Sequence, residues 1–439
     1  MRKRAMGSFR THLASQLSKD LEGQEVKLAG WVHEVRDLGK IKFLLLRDRS
    51  GIAQIVLKEG ETPPQVMAQV RDLTRESVVT IKGIVRQSSK ARSGVEVVLS
   101  SLEVLNPAVS PLPLDPKGQV PAELPTRLDA RFVDLRRPEE RAIFIVNHHL
   151  LQVTREFFSA RDFIEVVTPR ILATATEGGA SLFSIDYFGS KAFLAQSPQL
   201  YKEQLTGSFE RVFEVGVFFR AEEFDTVHHL NEFPSLDVEV AFADEEDVMV
   251  LLEEYLSYVF LKLNERCPNE LKRLRGALLP ELPSRFPRIS YDDAIEILAE
   301  RNIKLNWGED LSTTALRALG EELGGPFFIV GWPSRLKPFY IKPRDDDPSR
   351  SHSFDLMYGW LEVASGGRRV HRREELEARM REQGLNPEGF RHHLKCYDYG
   401  MPPHAGWGLG LARLMMVIAA RRNIREVVLY PRDRWRLTP

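Results

Sequence analysis

Residues 220–233, RAEEFDTVHHLNEF, place an arginine, several acids and two adjacent histidines ahead of a phenylalanine. Arg220 follows the apolar run VFEVGVFF, so we expect a strand to hold it at the surface of a sheet. A guanidinium fixed in this way suits bidentate binding of a phosphate or a carboxylate. The acids, His228 and His229 would lie in a loop, and Phe233 would begin the next strand. Taken alone, the pattern also fits an ordinary charged hairpin on a protein surface.

Glycines at alternate positions form a second pattern in AGWGLGLARL, residues 405–414. Gly406, Gly408 and Gly410 precede Arg413 at the start of a predicted helix. Glycine lets a backbone or a ligand approach closely. The same spacing could simply ease helix packing, and it is not the GxGxxG fingerprint of a dinucleotide site.

Two carboxylates, Asp355 and Glu362, lie seven residues apart in SFDLMYGWLEVASGGRRVH. In one straight strand they would face opposite sides, so a turn or bulge near Gly359 must intervene if they share a site. Carboxylates brought together near phosphates are typical ligands of Mg²⁺. The alternative is a pair of unrelated exposed acids.

The composition is that of a globular protein. The chain has 439 residues, 43% hydrophobic and 28% charged, which allows two or three domains. No apolar run approaches the ~20 residues of a membrane helix, and the basic N-terminus lacks the apolar segment of a secretory signal. Cys267 and Cys396 are the only cysteines, so we expect neither a disulfide framework nor a structural zinc, and a reducing cytoplasm fits. With a net charge of −1, a nucleic-acid partner would have to be held by local basic patches.

Five strand patterns fill residues 25–105: EVKLAGWVHEV, IKFLLLRD, IAQIVL, SVVTIKGIV and VEVVLSSLEVL. PPQVMAQVRDL, between the third and the fourth, predicts a short helix. Five strands with a helix after the third favour a small Greek-key barrel of the OB type. A generic β-barrel without a ligand is the alternative. We assign residues 1–106 to this barrel.

The proline-rich stretch NPAVSPLPLDPKGQVPAELP favours an extended, semi-rigid path, and we assign residues 107–135 to a linker. In residues 136–439 the spacing changes. EERAIFIVNHHLLQVTREFFSARDF, EEDVMVLLEEYLSYVFLKLNE and GLARLMMVIAA predict helices, whereas DVEVAF and SFDLMYGWLEVA indicate strands. Because helices and strands mix without regular βαβ alternation, we predict an α+β domain in which helices pack on an antiparallel sheet.

Several of these stretches together resemble the signature motifs of class II aminoacyl-tRNA synthetases. FIEVVTPRI, with Pro169, is similar to motif 1; FRAEE with HHLNEF is similar to motif 2; GWGLGLAR is similar to motif 3. TATEGGA and QSPQLYKE resemble the amino-acid pocket of the short archaeal type of aspartyl-tRNA synthetase. The resemblance extends over nearly the whole chain, from the barrel to the terminal PRDRWRLTP. It implies a homodimer built through motif 1, and no feature implies a membrane.

The resemblance implies that L-aspartate and ATP form aspartyl-adenylate, which then esterifies tRNA(Asp). Arg220 would be the catalytic residue. It would bind the ATP α-phosphate and the substrate carboxylate, and so neutralise charge that builds up as the carboxylate attacks phosphorus. No side chain needs to be the nucleophile, because the substrate supplies it and the site positions it.

For the nucleotide, the resemblance implies that Phe233 lies under the adenine and Arg413 over it, a stack to which the cation adds ~0.5–2 kcal/mol. Asp355, Glu362 and Ser365 would surround Mg²⁺. The implied ATP-binding residues are Arg220, Glu222, His228, His229, Leu230, Phe233, Glu362, Gly408, Gly410 and Arg413.

For the amino acid, Glu177 and Gln199 would take the ammonium group, and Lys202 and Arg369 would grip the side-chain carboxylate. Two cations favour aspartate over asparagine, because an amide would leave buried positive charge unpaired. Such sites reject analogues by factors of ~10⁴ or more. The implied aspartate-binding residues are Glu177, Gln199, Lys202, Arg220, Asp237, Ser365 and Arg369.

The barrel would bind the tRNA anticodon. Phe43, Gln54 and Glu96 match residues that stack on and read its central base, and one base on an aromatic contributes ~1–3 kcal/mol. Trp31 and Lys90 match positions near the third base, where the anticodons of tRNA(Asp) and tRNA(Asn) differ. Neither offers a selective acceptor. The pair resembles relaxed family members, which aspartylate both tRNAs and leave the mischarged product to an amidotransferase. The alternative for Phe43 and Trp31 is barrel core.

Two positions depart from the family pattern near the ATP site: Ala412 stands where Glu is usual, and His228 where Arg is usual. Two other functions therefore stay open. One is an asparaginyl-tRNA synthetase, which Lys202 disfavours. The other is a tRNA-binding protein with a decayed ATP site, against which the presence of Arg220 and Arg413 argues.

Overall fold

The computed structural model describes residues 8–91, 93–173, 182–223 and 225–439. The chain divides into two compact units, Met1–Pro113 and Leu114–Pro439. The division lies inside the proline-rich stretch, and the residues of that stretch after the division belong to the second unit. In the described parts of the chain, no helix combines the length and hydropathy needed to cross a bilayer.

The first unit is a closed five-stranded barrel in the order β1-β2-β3-β5-β4, in which β4 pairs back to β1. Side chains alternate between the barrel interior and its outer face, so that Leu28, Val32, Leu44, Ile55 and Val97 fill the core. This confirms the predicted OB fold. The elements are β1 Glu25–Asp37, β2 Ile41–Arg47, β3 Ile52–Lys58, α1 Pro64–Arg71, β4 Val78–Gln87 and β5 Val95–Asn106.

The second unit combines helices with two sheets. Its elements are α2 Leu124–Asp129, α3 Arg131–Asp134, α4 Pro138–Ser159, β6 Ile164–Glu165, β7 Ile171–Leu172, β8 Ser184–Tyr187, β9 Ser190–Leu194, α5 Gln199–Phe209, β10 Arg211–Phe219, β11 Glu232–Ala241, α6 Glu245–Arg266, α7 Pro268–Arg275, β12 Arg288–Ser290, α8 Tyr291–Glu300, α9 Thr313–Leu323, β13 Pro326–Val330, β14 Ser353–Tyr358, β15 Leu361–Arg368, α10 Arg373–Glu382, α11 Arg391–Tyr397, β16 His404–Gly410 and α12 Leu411–Ala419.

The main sheet has eight strands in the order β12-β13-β14-β15-β16-β11-β10-β6, and β7, β9 and β8 form a small second sheet. The six central strands are antiparallel, which confirms the predicted α+β fold. At each edge the outermost pair, β12 with β13 and β6 with β10, is parallel. The predicted antiparallel arrangement is found in the six central strands, and the outermost pair at each edge differs from it.

Helices α4, α6, α7 and α12 contribute buried residues to the core on one face of this sheet. In α4, apolar side chains recur at helical spacing, and Ile143, Val146, Leu150 and Phe157 are fully buried. From β16, the Trp407 indole points into the same core and donates a hydrogen bond to the Val248 carbonyl at 3.1 Å. The opposite face of the central strands is left to form a cavity.

Candidate functional site

A cavity of about 340 Å³ lies over the central strands of the main sheet and is lined mainly by polar and charged side chains. Glu177 is outside the described residues, and Asp355 lies beneath the lining. All the other predicted ATP-, aspartate- and metal-binding residues line this one cavity: Gln199, Lys202, Arg220, Glu222, His228, His229, Leu230, Phe233, Asp237, Glu362, Ser365, Arg369, Gly408, Gly410 and Arg413. Their individual roles toward ligands stay predictions.

Arg220 directly follows β10, as the sequence predicts, and Phe233 pairs with Phe218 near the start of β11. The backbone of Arg220 is held to Asn231, because its N–H donates to the Asn231 carbonyl and its own carbonyl accepts from Asn231 Nδ2, at 2.9 and 2.7 Å. The guanidinium carbon lies 5.4 Å from the centre of the Phe233 ring. The side chain is 40% exposed and lines the cavity, so a ligand there can reach the guanidinium.

The two histidines of the β10–β11 connection are neutral at physiological pH. Burial, followed by the positive charge of Arg413, lowers the pKa of His228 to about 4 and that of His229 to about 3. His229 Nδ1 lies 2.6 Å from the Thr226 hydroxyl, and the two imidazole rings are 4.2 Å apart. This part of the cavity therefore offers neutral hydrogen-bonding groups, and its positive charge comes from Arg220 and Arg413.

Arg413, in the first turn of α12, ties three elements of the cavity together. Its Nη1 donates to the Glu362 backbone carbonyl at 2.9 Å and to the Glu362 carboxylate at 3.2 Å, while Nε donates to the His228 carbonyl at 3.4 Å. Ala412, where the family usually has Glu, is buried in the main core and also lines the cavity. Alanine at position 412 offers no carboxylate to Arg413, and the carboxylate that contacts Arg413 is that of Glu362.

The stretch predicted as one strand with a possible turn is a hairpin. Gly359 forms its turn in the left-handed region, with φ 57°. Asp355 pairs with Ser365 and Met357 pairs with Glu362, so the longer segment of β15 contains one extra residue, a β-bulge. Because of the bulge, Glu362 and Ser365 share the cavity face although they are three residues apart.

Lys337, which sequence reasoning missed, holds Asp355. Its ammonium donates to both carboxylate oxygens at 2.8 and 2.7 Å and lies 4.3 Å from the Trp332 ring centre. Burial raises the pKa of Asp355, the charge of Lys337 opposes that shift, and the nearby Glu362 adds to it. Within the described residues, no three His, Cys, Asp or Glu side chains converge as metal ligands. No local pattern in PSRLKPFY marks Lys337, because its partner is far away in sequence.

The closed end of the cavity holds two cations that are almost fully buried. Lys202 Nζ lies 3.1 Å from Asp237, 3.4 Å from Glu239 and 3.2 Å from the Trp407 carbonyl. Arg369 Nε and Nη2 donate to the two oxygens of Glu239 at 2.9 and 3.3 Å. Glu239, a second residue that sequence reasoning missed, is thus shared by both cations. Its signal was the alternation DVEVAF, which puts the acids at 237 and 239 on the same face of β11.

On the barrel, four of the five residues predicted to contact the anticodon occupy one outer face. Trp31 pairs with Arg47, and Phe43, four residues from Arg47 along β2, points the same way. Gln54 donates to Glu96 at 3.1 Å across β3 and β5. Trp31 and Phe43 are half-buried and stand outside the barrel core, so the alternative that they are core residues is wrong. Lys90 lies exposed in the β4–β5 turn.

Comparisons with known families agree with this geometry. Residues 123–434 match the family described as tRNA synthetases class II (D, K and N), and residues 26–105 match the OB-fold nucleic acid binding domain.

Among curated proteins, the aspartate–tRNA(Asp/Asn) ligase of Archaeoglobus fulgidus is 52% identical over 427 residues, which cover 97% of this chain and 99% of that protein. The ligase of the same name from Methanothermobacter thermautotrophicus is 48% identical, over 98% of both chains.

Among solved structures, the asparaginyl-tRNA synthetase of Pyrococcus horikoshii complexed with asparaginyl-adenylate has a TM-score of 0.93. It is 35% identical, and the match covers 98% of this chain and 99% of that one. The aspartyl-tRNA synthetase of Entamoeba histolytica has a TM-score of 0.85 at 31% identity, with 98% and 92% covered.

Proposed function

The chain belongs to the class II tRNA synthetases of the D, K and N family, and from that premise we propose that it is an aspartate–tRNA ligase. The observation that carries the choice of amino acid is the pair of buried cations, Lys202 and Arg369, at the closed end of the cavity. Both side chains only donate hydrogen bonds, so a side-chain carboxylate can accept from both, whereas the amide of asparagine would bring a donor against one of them.

The reaction has two steps. The α-carboxylate of aspartate attacks the α-phosphorus of ATP and pyrophosphate leaves, which gives aspartyl-adenylate. A ribose hydroxyl of the terminal tRNA adenosine then attacks the activated carbonyl, and AMP leaves. Arg220, at the end of β10, would bind both the carboxylate and the α-phosphate and so stabilise the negative charge of the first transition state. Arg413 and the Phe233 ring, which line the same cavity, would hold the adenine.

We propose Mg²⁺ as the ion that accompanies ATP. Asp355, Glu362 and Ser365 share one sheet face and supply the hard oxygen donors that this ion prefers, so the residues fit it. Bound there, Mg²⁺ would neutralise phosphate charge. Both oxygens of Asp355 accept hydrogen bonds from Lys337, and each keeps a second lone pair that could face an ion.

We also propose that the protein is a homodimer and that it is located in the cytoplasm. Exposed apolar side chains beside Pro169, namely Ile164, Val167 and Ile171, support a homodimer built through motif 1. Two free cysteines support a reducing compartment, the cytoplasm.

The test of the amino acid is ATP–pyrophosphate exchange with aspartate and with asparagine. We expect aspartate to support exchange and asparagine to fail. Equal exchange with both would overturn the assignment of Lys202 and Arg369, and exchange with neither would favour a tRNA-binding protein with a decayed ATP site.

We further propose that both tRNA(Asp) and tRNA(Asn) are aspartylated, as the names of the curated relatives say of those proteins. The mischarged product would then need an amidotransferase. Trp31 and Lys90 offer no group that selects cytosine over uracil. We expect Trp31→His or Lys90→Pro to shift aspartylation toward tRNA(Asp), measured with both transcripts. A wild-type protein that charges tRNA(Asn) a thousandfold less efficiently would refute dual charging and leave the ligase assignment intact.

A further inference from the structure

Glu203 is fully buried one helical turn after Gln199 in α5, and its two oxygens serve different partners. Oε1 accepts a hydrogen bond from Gln199 Nε2 at 2.5 Å. Oε2 accepts one from the Tyr397 hydroxyl at 2.7 Å and lies 3.3 Å from His393 Nε2 and 4.0 Å from His404 Nε2. Glu203 does not line the cavity, so whatever it does for a ligand must pass through another residue.

The carboxyl group of Glu203 is ionised. Burial alone would raise its pKa, but the hydrogen bond with His393 and the charges of His393, His404 and Arg369 outweigh burial and lower the pKa to about 2. An ionised carboxylate accepts hydrogen bonds and donates none. The amide nitrogen of Gln199, and not its oxygen, must therefore face Glu203.

This constraint decides which atom Gln199 offers to the cavity. Gln199 is the first residue of α5, is 4% exposed and lines the cavity near Lys202. With its nitrogen held by Glu203, its oxygen is the atom left for a ligand. An ammonium group only donates hydrogen bonds, so an oxygen is what it requires.

We propose that Glu203 is a positioning residue for the α-ammonium group of the amino acid, because it fixes the Gln199 amide with its oxygen toward the cavity. The inference rests on the proposed function, since it takes aspartate as the ligand. It explains why a buried carboxylate lies behind a pocket whose ligand carries two carboxylates of its own.

The test compares aspartate with succinate, which is aspartate without its α-amino group. In Glu203→Gln, donation from the Tyr397 hydroxyl and from His393 Nε2 favours an oxygen on their side, so we expect the new amide to turn its nitrogen to Gln199. The Gln199 amide must then reverse and present its nitrogen to the ammonium. We expect the ratio of aspartate affinity to succinate affinity, measured by calorimetry on the full chain, to fall about ten- to a hundredfold, the range for one charge-assisted hydrogen bond. Succinate affinity should stay close to that of the wild type.

The exchange of both side chains, Glu203→Gln with Gln199→Glu, supplies the rescue. The amide at 203 then donates to the carboxylate at 199, which again presents an acceptor to the ammonium, and the ratio should return to the wild-type value or above it. Tyr397→Phe is the matched control, because it removes a hydrogen bond to the same carboxylate without reversing Gln199, and it should keep the ratio. If Glu203→Gln fails to fold by circular dichroism, the double exchange decides the question through its ratio.

The outcomes separate the two levels of the proposal. An unchanged ratio in Glu203→Gln, or a ratio that the double exchange fails to restore, would refute the role of Glu203 and leave the ligase assignment standing. Equal loss of aspartate and succinate would have the same meaning. A wild-type chain that binds neither aspartate nor succinate would overturn the proposed function, and the inference with it.

Discussion

Lys202 and Arg369 are paired before any ligand arrives, since both contact Glu239 at the closed end of the cavity. A side-chain carboxylate that enters between them therefore joins an existing network of ion pairs, because both cations already have carboxylate partners. On the proposed assignment, recognition of aspartate would depend on the acids as well as on the cations, and the loss of one member would remove a buried partner from the others.

Lys202→Met should both weaken the binding of aspartate and lower the stability of the fold. We expect KM for aspartate in pyrophosphate exchange to rise ~100-fold, as for a lost hydrogen bond to a charged group. The free energy of unfolding should fall by about 3–5 kcal/mol, because Asp237 and Glu239 lose a buried partner. Urea denaturation measures the second effect. Lys304→Met, at an exposed lysine, is the control and should change neither; an unaltered KM in Lys202→Met would exclude contact with the substrate.

His228 and His229 should remain neutral down to low pH. Their folded pKa values, about 4 and about 3, lie below the ~6.5 of an unfolded histidine, so the unfolded chain binds protons first as the pH falls. Their contribution to stability is complete above pH ~6.5 and is lost progressively below it. In NMR spectra, we expect no titration of either imidazole between pH 5 and 8. The double variant His228→Asn, His229→Asn should lose less stability between pH 6.5 and 4.5 than the wild type; a titration midpoint near 6.5 would contradict this.

At the scale of elements, the close packing of β16 against β11 sets the position of the paired charges. A Cβ at Gly406 would overlap the Val238 carbonyl and the Glu239 carboxylate, whereas a Cβ at Gly410 would meet the Arg413 side chain at ordinary contact distances of 3.5–3.6 Å. Gly406→Ala should therefore lower the free energy of unfolding by ~1–3 kcal/mol. It should also weaken the binding of aspartate, because the Glu239 side chain must move. Gly410→Ala in the same strand should lower the free energy of unfolding by less. Equal losses in the two variants would show that β16 can shift to relieve the overlap at position 406.

The sequence predicted those parts of the site that short-range patterns determine. Arg220 after an apolar run and Arg413 after alternating glycines lie where their strands and helix require. The face shared by Glu362 and Ser365 could be predicted only conditionally, because it depends on a bulge that alternation alone does not reveal. Lys337 and Glu239 were missed because each pairs with charged residues that tertiary packing brings near from another segment. Glu203 was missed because its helical spacing from Gln199 does not reveal that its second oxygen is held by the distant Tyr397. The parallel edge pairs escaped prediction because a strand pattern does not state its direction.

At the scale of the whole molecule, adenylate chemistry and anticodon recognition are assigned to separate compact units. We expect Arg220→Ala to abolish pyrophosphate exchange and leave tRNA affinity near that of the wild type, as measured by filter binding. Phe43→Ala is the reciprocal variant. It should weaken tRNA binding by ~1–3 kcal/mol, which is the contribution of one stacked base, and leave pyrophosphate exchange unchanged. A steep loss of tRNA affinity in Arg220→Ala would contradict this division of labour.

The order of strands has a consequence for how the chain is made. β16 lies at the centre of the main sheet, between β15 and β11, yet it is the last strand to be synthesised. Until residues 404–410 leave the ribosome, the nascent chain holds two half-sheets whose facing edges are both unpaired, and unpaired edges invite association with other chains. Insertion of one glycine-rich strand closes both edges at once, sends Trp407 into the core and completes the floor of the cavity. The catalytic unit thus becomes competent only near the end of translation, whereas the barrel, complete by residue 106, is free to fold hundreds of residues earlier.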